Sequence, residues 1–462
     1  MKASIRDSKA TEIVCAYSCG STFEALPASV VDCAKRVILD TLGCMVLGST
    51  IDSAQVMRKF VASIGGLPQA TVIGGDLKAP AGYAALANGT AGHADEMDSS
   101  HISWGHPACI AIATGLALCE SLKLGGKEFI NAVVLMHDIG ARMMAAAGGR
   151  QAVMDTHHSH SSALYAIGAA AAAGRLLRLK PEQMRHALAL ASMNISSPAA
   201  FMDESNHMTK AMTHGQSAYA GVTGAMLAYN GLEGNERILE SRHGIMDLWW
   251  TDRADVGEIT ARLGSYFSVT DTGFKYYSAG YPIHAPLYGA LSLLRNHGIK
   301  SDQVAKVRVG MGTQSAGIVD SRDTPSISLQ AMLSLGMFLG KLGYEDAHDE
   351  AALEKPEVKR LRSVVQIFRD PDIDRRAPTS RAAWVEITTQ DGRTVRADEQ
   401  LPPGHWESGG APWADLEEKF TALVVPRLGR DASVGIARLV KSLEDQSDLG
   451  ELARLLAPRA KA

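Results

Sequence analysis

The 462-residue sequence is short of several things, and each shortage removes a class of function. Charged residues make up 21%, aromatic residues 6%, and the net charge is −4. No long Lys/Arg run stands out, so there is no basic field to hold nucleic-acid phosphates. Cysteine is scarce. The six cysteines (Cys15, Cys19, Cys33, Cys44, Cys109 and Cys119) include no C-x-x-C pair, which argues against zinc ribbons and thioredoxin-like chemistry. Cys15 and Cys19, four apart, read as one face of a core helix. Phosphate and nucleophile signatures are missing too: no G-x-x-x-x-G-K-[ST], no strand-borne G-x-G-x-x-G, no G-x-S-x-G elbow and no H-E-x-x-H. No apolar run reaches the roughly 18 residues of a membrane span. The opening "MKASIRDSKATEIV" has no secretion-signal core. The expectation is a cytoplasmic enzyme with no membrane or nucleic-acid partner, no metal and no organic cofactor, whose acid–base side chains do the chemistry themselves.

The hydrophobic share of 46% and the chain length allow one large core and a second domain. The first 265 or so residues read as helices. "LPASVVDCAKRVILDTLGCMVLGS" starts a helix near Pro27, with Val30, Ala34, Val37, Ile38 and Leu42 at helical spacing. "HPACIAIATGLALCESLKLGG" reads as a helix closed by glycines, and "KEFINAVVLMHDIGARMMAAA" as another. "SALYAIGAAAAAGRLLRLK" and "PEQMRHALALASMNIS" form a helical pair. Near residue 270 the pattern changes. "AKVRVGMG" alternates like a strand, and "AAWVEITTQDGRTVRADE" reads as a hairpin turning at Asp391-Gly392. "SISLQAMLSLGMFLGKLG" between them is helical, as is the tail from "PWADLEEKFTALVVPRL". Residues 269–401 are therefore expected to form a smaller α+β domain, and 1–268 with 402–462 a large helical one.

Four clusters carry candidate chemistry. "NGTAGHADEMDSSHISWGHPA" packs His93, Asp95, Glu96, Asp98, Ser99, Ser100, His101 and His106 into one loop ahead of a helix. Helix capping is the competing reading. "DTHHSHSS" places His157, His158 and His160 before a helix, where an imidazole can act as an acid or meet an anion. Histidines at that spacing do not easily face one metal. "NHMTKAMTHGQSAYAG" puts Lys210 and His214 on one helix face. A partly desolvated lysine suits carboxylate binding or proton transfer; a snorkelling surface lysine is the alternative. In "FKYYSAGYPIHAP", Lys275 and His284 bracket a Gly-Tyr-Pro turn, the kind of stretch that links domains or lines a cleft.

In this order and spacing, "VILDTLGCMVLGS", the acidic loop, "MTKAMTHGQSAYAGV" and "FKYYSAGYPIHAP" resemble the MmgE/PrpD family, as do "VEITTQDGRTV" and "PWADLEEKF". The family contains 2-methylcitrate dehydratase, cis-aconitate decarboxylase and iminodisuccinate epimerase. The resemblance covers roughly residues 25–425. It implies a mainly α fold: a large helical domain from both chain ends and a smaller α+β lid domain. It also implies a homodimer, no cofactor, and a small di- or tricarboxylate substrate.

The residues carry over unevenly. The family loop reads His-x-x-Asp-Phe-Asp-Asp-Thr-His. Here the functional Asp falls on Glu96, the Thr on Ser100, and the second Asp is lost at Ser99. His106 matches the His of the family His-Pro, and Lys210 the Thr-Lys lysine. The Gly-Phe-His motif is not reproduced. Its histidine falls at Ser159, leaving His158 or His160. Five residues after Lys275, where cis-aconitate decarboxylase is expected to carry a histidine, stands Gly280. The resemblance thus implies Glu96, His106, His158 or His160, and Lys210 as acid–base groups, with Ser100, His101, Lys275 and His284 holding substrate. Proton abstraction next to a carboxylate is the implied chemistry, with hydro-lyase favoured over epimerase. A metal-dependent hydrolase and a non-catalytic carboxylate binder stay open as alternatives.

Overall fold

The computed structural model describes residues 5–103, 105–204, 208–376 and 381–457. The chain divides into two compact units, Met1–Thr272 with Trp413–Ala462, and Gly273–Pro412.

The longer helices of the first unit are α1 (Ala10–Gly20), α2 (Ala28–Gly48), α3 (Asp52–Ile64), α4 (Ala81–Gly92), α5 (Pro107–Leu122), α6 (Gly126–Ala146), α7 (Gly149–His157), α8 (Ser162–Leu176), α9 (Pro181–Ser192) and α10 (Met208–Tyr229). Helix α2 opens just after Pro27, and from Val37 to Gly48 every residue is buried. A helix enclosed on all sides belongs inside a core. Helix α6 is long and apolar enough to cross a membrane by length and composition, against the expectation that no stretch would be. It is a core helix: 89% of its most apolar window is buried, and it carries His137, Asp138 and Arg142. The end of α5 also departs from expectation. Lys123, at φ 53°, supplies the left-handed cap expected of glycine.

Small residues set how closely these helices pack. α10 lies against α4, α8 and α9. At the α4–α10 crossing Gly89 faces Gly215. A Cβ on Gly89 would stand 2.8 Å from the Gly215 Cα, and one on Gly215 2.2 Å from the Leu86 carbonyl oxygen. Only bare backbone fits there.

The second unit carries helix α11 (Tyr281–His297), strand β1 (Val304–Met311), helices α12 (Leu329–Leu339) and α13 (Pro356–Val364), and strands β2 (Val365–Arg369), β3 (Ala383–Thr389) and β4 (Thr394–Gln400). The sheet order is β2-β1-β3-β4. β1 and β2 run parallel, Val307 opposite Val365, joined by a crossover that contains α12 and α13. β3 is antiparallel to both β1 and β4. The β3–β4 turn contains Gly392 at φ 87°, a conformation that glycine adopts without strain. Val385, Ile387 and Thr389 face inward on β3, and α11 covers β3 and β4.

The chain then returns to the first unit through α14 (Trp413–Leu428) and α15 (Arg430–Lys441), α14 packing along α2. There the buried Asp40 of α2 meets Lys419, whose Nζ donates to Oδ1 at 2.6 Å and to the Met97 carbonyl at 2.7 Å. Removing one partner of such a buried pair costs on the order of 3–5 kcal/mol. The contact also ties α14 to the loop between α4 and α5.

Candidate active site

That loop is where the first unit concentrates its chemistry. It leaves α4 at His93 and enters α5 at His106-Pro107, with proline in the first helical turn. The His101 backbone N–H donates to Gly105 O at 3.0 Å, closing its far end. Its centre is Asp98, whose side chain is fully buried. His93 Nδ1 lies 2.9 Å from Asp98 Oδ1, and His106 Nδ1 lies 3.0 Å from Oδ2. The Cys109 thiol on α5 donates to Oδ2 at 3.2 Å. Burial alone would push the Asp98 carboxyl up. The imidazoles of His106 and His93 outweigh it and hold the group well below the usual carboxylate range.

Four imidazoles extend from this point. The His93 ring stands 4.3 Å from that of His106 and 4.1 Å from that of His214. His214 is next to Gly215, so the close α4–α10 crossing is what brings these two rings together. The His160 ring is 5.7 Å from His214, and the His106 ring 5.8 Å. Burial pushes His93 down to about 4. It holds His160 and His214 well below their ordinary value, helped by Arg150 at His160 and by His93 at His214. These three rings are therefore neutral near pH 7.

Hydrogen bonds fix which nitrogen carries the proton. His106 Nδ1 lies 2.9 Å from the Ser99 carbonyl oxygen, which can only accept. Nδ1 is therefore protonated, and in the neutral ring Nε2 is a bare base. His160 is the reverse. Its Nδ1 accepts from the Ser162 backbone N–H at 3.3 Å, at the start of α8, and lies 3.0 Å from Ser162 Oγ. Its Nε2 then carries the proton. One site thus holds an imidazole base and an imidazole donor.

Cations lie alongside. Lys210, in the first turn of α10, pairs with Glu96, their side chains 16% and 13% exposed. Arg150, at the start of α7, has a buried Nε without a hydrogen-bond partner. Burial lowers its pKa, opposed by Tyr165 and Glu96. Two cations beside neutral imidazoles make a site suited to carboxylates. His93, Asp98 and His106 also have the spacing of a metal site, their ligand atoms within 4.8 Å of one another. The oxygens of Asp98, however, already take N–H donors directly.

The structure brings together Glu96, His106, His160 and Lys210. It separates His158, which is exposed at the C-terminus of α7 with φ 50°, its backbone N–H donating to Met154 O. The backbone reverses there, so only His160 turns inward. Ser100 is buried in a two-residue strand. His101 faces elsewhere: Nε2 bonds the Ser268 carbonyl at 2.8 Å and Nδ1 meets Ser103 Oγ at 2.7 Å. It lines a cavity of about 240 Å³ with Arg142, Arg262 and Tyr266. Both of its ring nitrogens are thus hydrogen-bonded to protein groups. Lys275 and His284 belong to the second unit. Lys275 is fully buried, and His284 Nε2 lies 3.2 Å from Ala279 O, beside the Tyr277 and Tyr281 rings. A cavity of about 780 Å³ around Lys78 and Glu120 shares no residue with the imidazole cluster. Reading the sequence for sites missed Arg150, which no motif marks. It also noted His93, Asp98 and His214 without assigning them roles.

Family models match both parts of the chain: the MmgE/PrpD N-terminal domain over residues 12–255, and the MmgE/PrpD C-terminal domain over residues 277–445. This chain belongs to the MmgE/PrpD family. It is 27% identical to a cis-aconitate decarboxylase of Homo sapiens, across 92% of this chain and 90% of that protein. A cis-aconitate decarboxylase of Mus musculus is 26% identical across 91% and 88%. One of Aspergillus terreus is 25% identical across 96% and 95%.

Proposed function

We propose that this family member is a cofactor-independent lyase that moves a proton next to a carboxylate of a small di- or tricarboxylic acid. One observation carries the proposal: two imidazoles of opposite tautomer, His106 with a bare Nε2 and His160 with Nε2–H, around His214 and beside the cations Lys210 and Arg150. His106 Nε2 takes the proton on the carbon next to the carboxylate. Lys210 and Arg150 hold the carboxylates and stabilise the enolate-like charge that develops. The His160 N–H protonates a departing β-hydroxyl, which leaves as water, and a carbon–carbon double bond forms. Each positioned acid or base contributes on the order of 10²–10⁴-fold in rate. Glu96 balances Lys210 and orients it toward the substrate.

Hydro-lyase is the reaction we favour, because Gly280 stands where a decarboxylase is expected to carry a histidine. The relatives' names support a second reading, decarboxylation, in which a carbon–carboxylate bond breaks and the donor protonates carbon. Proton NMR in D₂O with citrate, 2-methylcitrate, cis-aconitate, malate and iminodisuccinate separates the outcomes. A new alkene from a saturated hydroxy acid supports the hydro-lyase. Release of CO₂ from cis-aconitate supports the decarboxylase. Deuterium at an α-position without alkene indicates an epimerase. No change with any acid contradicts the proposal, and a thermal shift without turnover would leave binding alone.

A further inference from the structure

The mechanism above uses His106 but not the group beneath it. Asp98 is fully buried and receives three donors: the Nδ1–H groups of two histidines and a thiol. We propose that Asp98 is a positioning residue that locks His93 into the Nδ1–H tautomer and, sharing the His106 Nδ1–H with the Ser99 carbonyl, holds the His106 ring so that it presents Nε2 as the base. This rests on the proposed function for its consequence, but not for its geometry. Each carboxylate oxygen faces one imidazole, at 2.9 and 3.0 Å, and a carboxylate can only accept. Both rings must therefore donate through Nδ1. A neutral acceptor would bind them more weakly, since hydrogen bonds to an ionised group are roughly twice as strong.

The surroundings keep Asp98 in place and charged. Cys109 comes from α5. Burial and Asp98 itself push its thiol well up, so it stays protonated and donates. Lys419, from α14, holds the Met97 carbonyl one residue before Asp98 and pairs with Asp40. His93 is pinned between Asp98 and the His214 ring. It acts as a buttress: it occupies Oδ1 and leaves Oδ2 for His106. The same ligand spacing would allow a divalent cation. A cation would need the Nδ1 lone pairs that the observed hydrogen bonds place on protons.

The test reads the tautomers directly. In protein labelled with ¹⁵N-histidine, two-bond ¹H–¹⁵N spectra distinguish Nδ1–H from Nε2–H rings. His93→Gln and His106→Gln each remove, and so assign, one set of signals. The expected result is Nδ1–H for both rings near pH 7 in the native protein, with at least one ring converted in Asp98→Asn. Where a substrate has been found, Asp98→Asn is expected to lose on the order of 10²–10⁴-fold in kcat with KM changed less than about threefold. Nε2–H for His106 in the native protein would overturn the proposal without any variant. So would an Asp98→Asn spectrum with both rings unchanged. Stoichiometric Zn²⁺ uptake that removes both Nδ1–H signals would overturn it in favour of a metal site. If no acid is turned over, the proposed function fails while the spectra still decide the role of Asp98.

Discussion

Two histidines of one loop, five residues apart, have opposite fates. His106 keeps one nitrogen bare, its side chain is 13% exposed, and it stands beside the imidazoles of His93 and His214. His101 has both nitrogens occupied by Ser103 and Ser268 and is 1% exposed. The first has spare valence for chemistry. The second has spent its valence on the fold. Proximity in sequence to a motif thus says little about role; which hydrogen bonds a ring has already made says more.

Substitutions can break this contrast, and the largest effects belong to the imidazole cluster. Lys210→Ala is expected to lower turnover by on the order of 10³-fold, while the thermal midpoint of so long a chain moves by only a few degrees, both side chains of the Lys210–Glu96 pair keeping some solvent contact. Steady-state kinetics with calorimetry checks both. Next come His106→Gln and His101→Gln, compared side by side. His106→Gln should lose on the order of 10²–10⁴-fold in kcat. His101→Gln should keep activity within a few-fold but lose about 1–3 kcal/mol of stability through its broken buried hydrogen bonds. Equal activity losses in the two would erase the distinction.

Acid sharpens it further. Burial lowers His93 and His101 to about 4 from the usual 6.5. The unfolded chain therefore takes up these protons first as pH falls. Their contribution is complete above about 6.5 and is lost progressively toward 4. Each group adds a slope of up to about 1.4 kcal/mol per pH unit in that window. Burial also lowers His137, His160 and His214, so five rings share this window, and His101→Gln should remove about a fifth of their combined slope in urea midpoints measured between pH 7 and 5. The low value for Asp98 acts at still lower pH and does not blur this window. The smallest effect is expected at His158→Gln: exposed on α7, it should leave rate and stability unchanged within about 0.5 kcal/mol. A large rate loss there would return His158 to the site.

Much of the fold was legible because periodicity reports burial directly. The helices opened by Pro27 and Pro107, the strand in "AKVRVGMG" and the hairpin turning at Gly392 follow from local pattern. The site was legible only in part. His106 and Lys210 sit in recognisable motifs. The choice between His158 and His160 depended on a left-handed residue that no pattern announced. The pairing of His93 with His214 depends on Gly89 meeting Gly215 across two helices far apart in sequence. Arg150 follows a glycine pair in an otherwise unremarkable stretch, and only its buried Nε, without a hydrogen-bond partner among the described residues, marks it. The apolar α6 is long enough to cross a membrane, yet neighbouring helices bury most of it, because length and composition do not distinguish a core helix from a span.

The most direct test of the account is proton exchange and turnover in D₂O, followed by NMR on the carboxylic-acid panel with native protein and His106→Gln in parallel. The account predicts that the native protein converts at least one acid, and that His106→Gln slows both α-proton exchange and product formation by about 100-fold or more. An inert native protein, or a His106→Gln variant as fast as native, would contradict it.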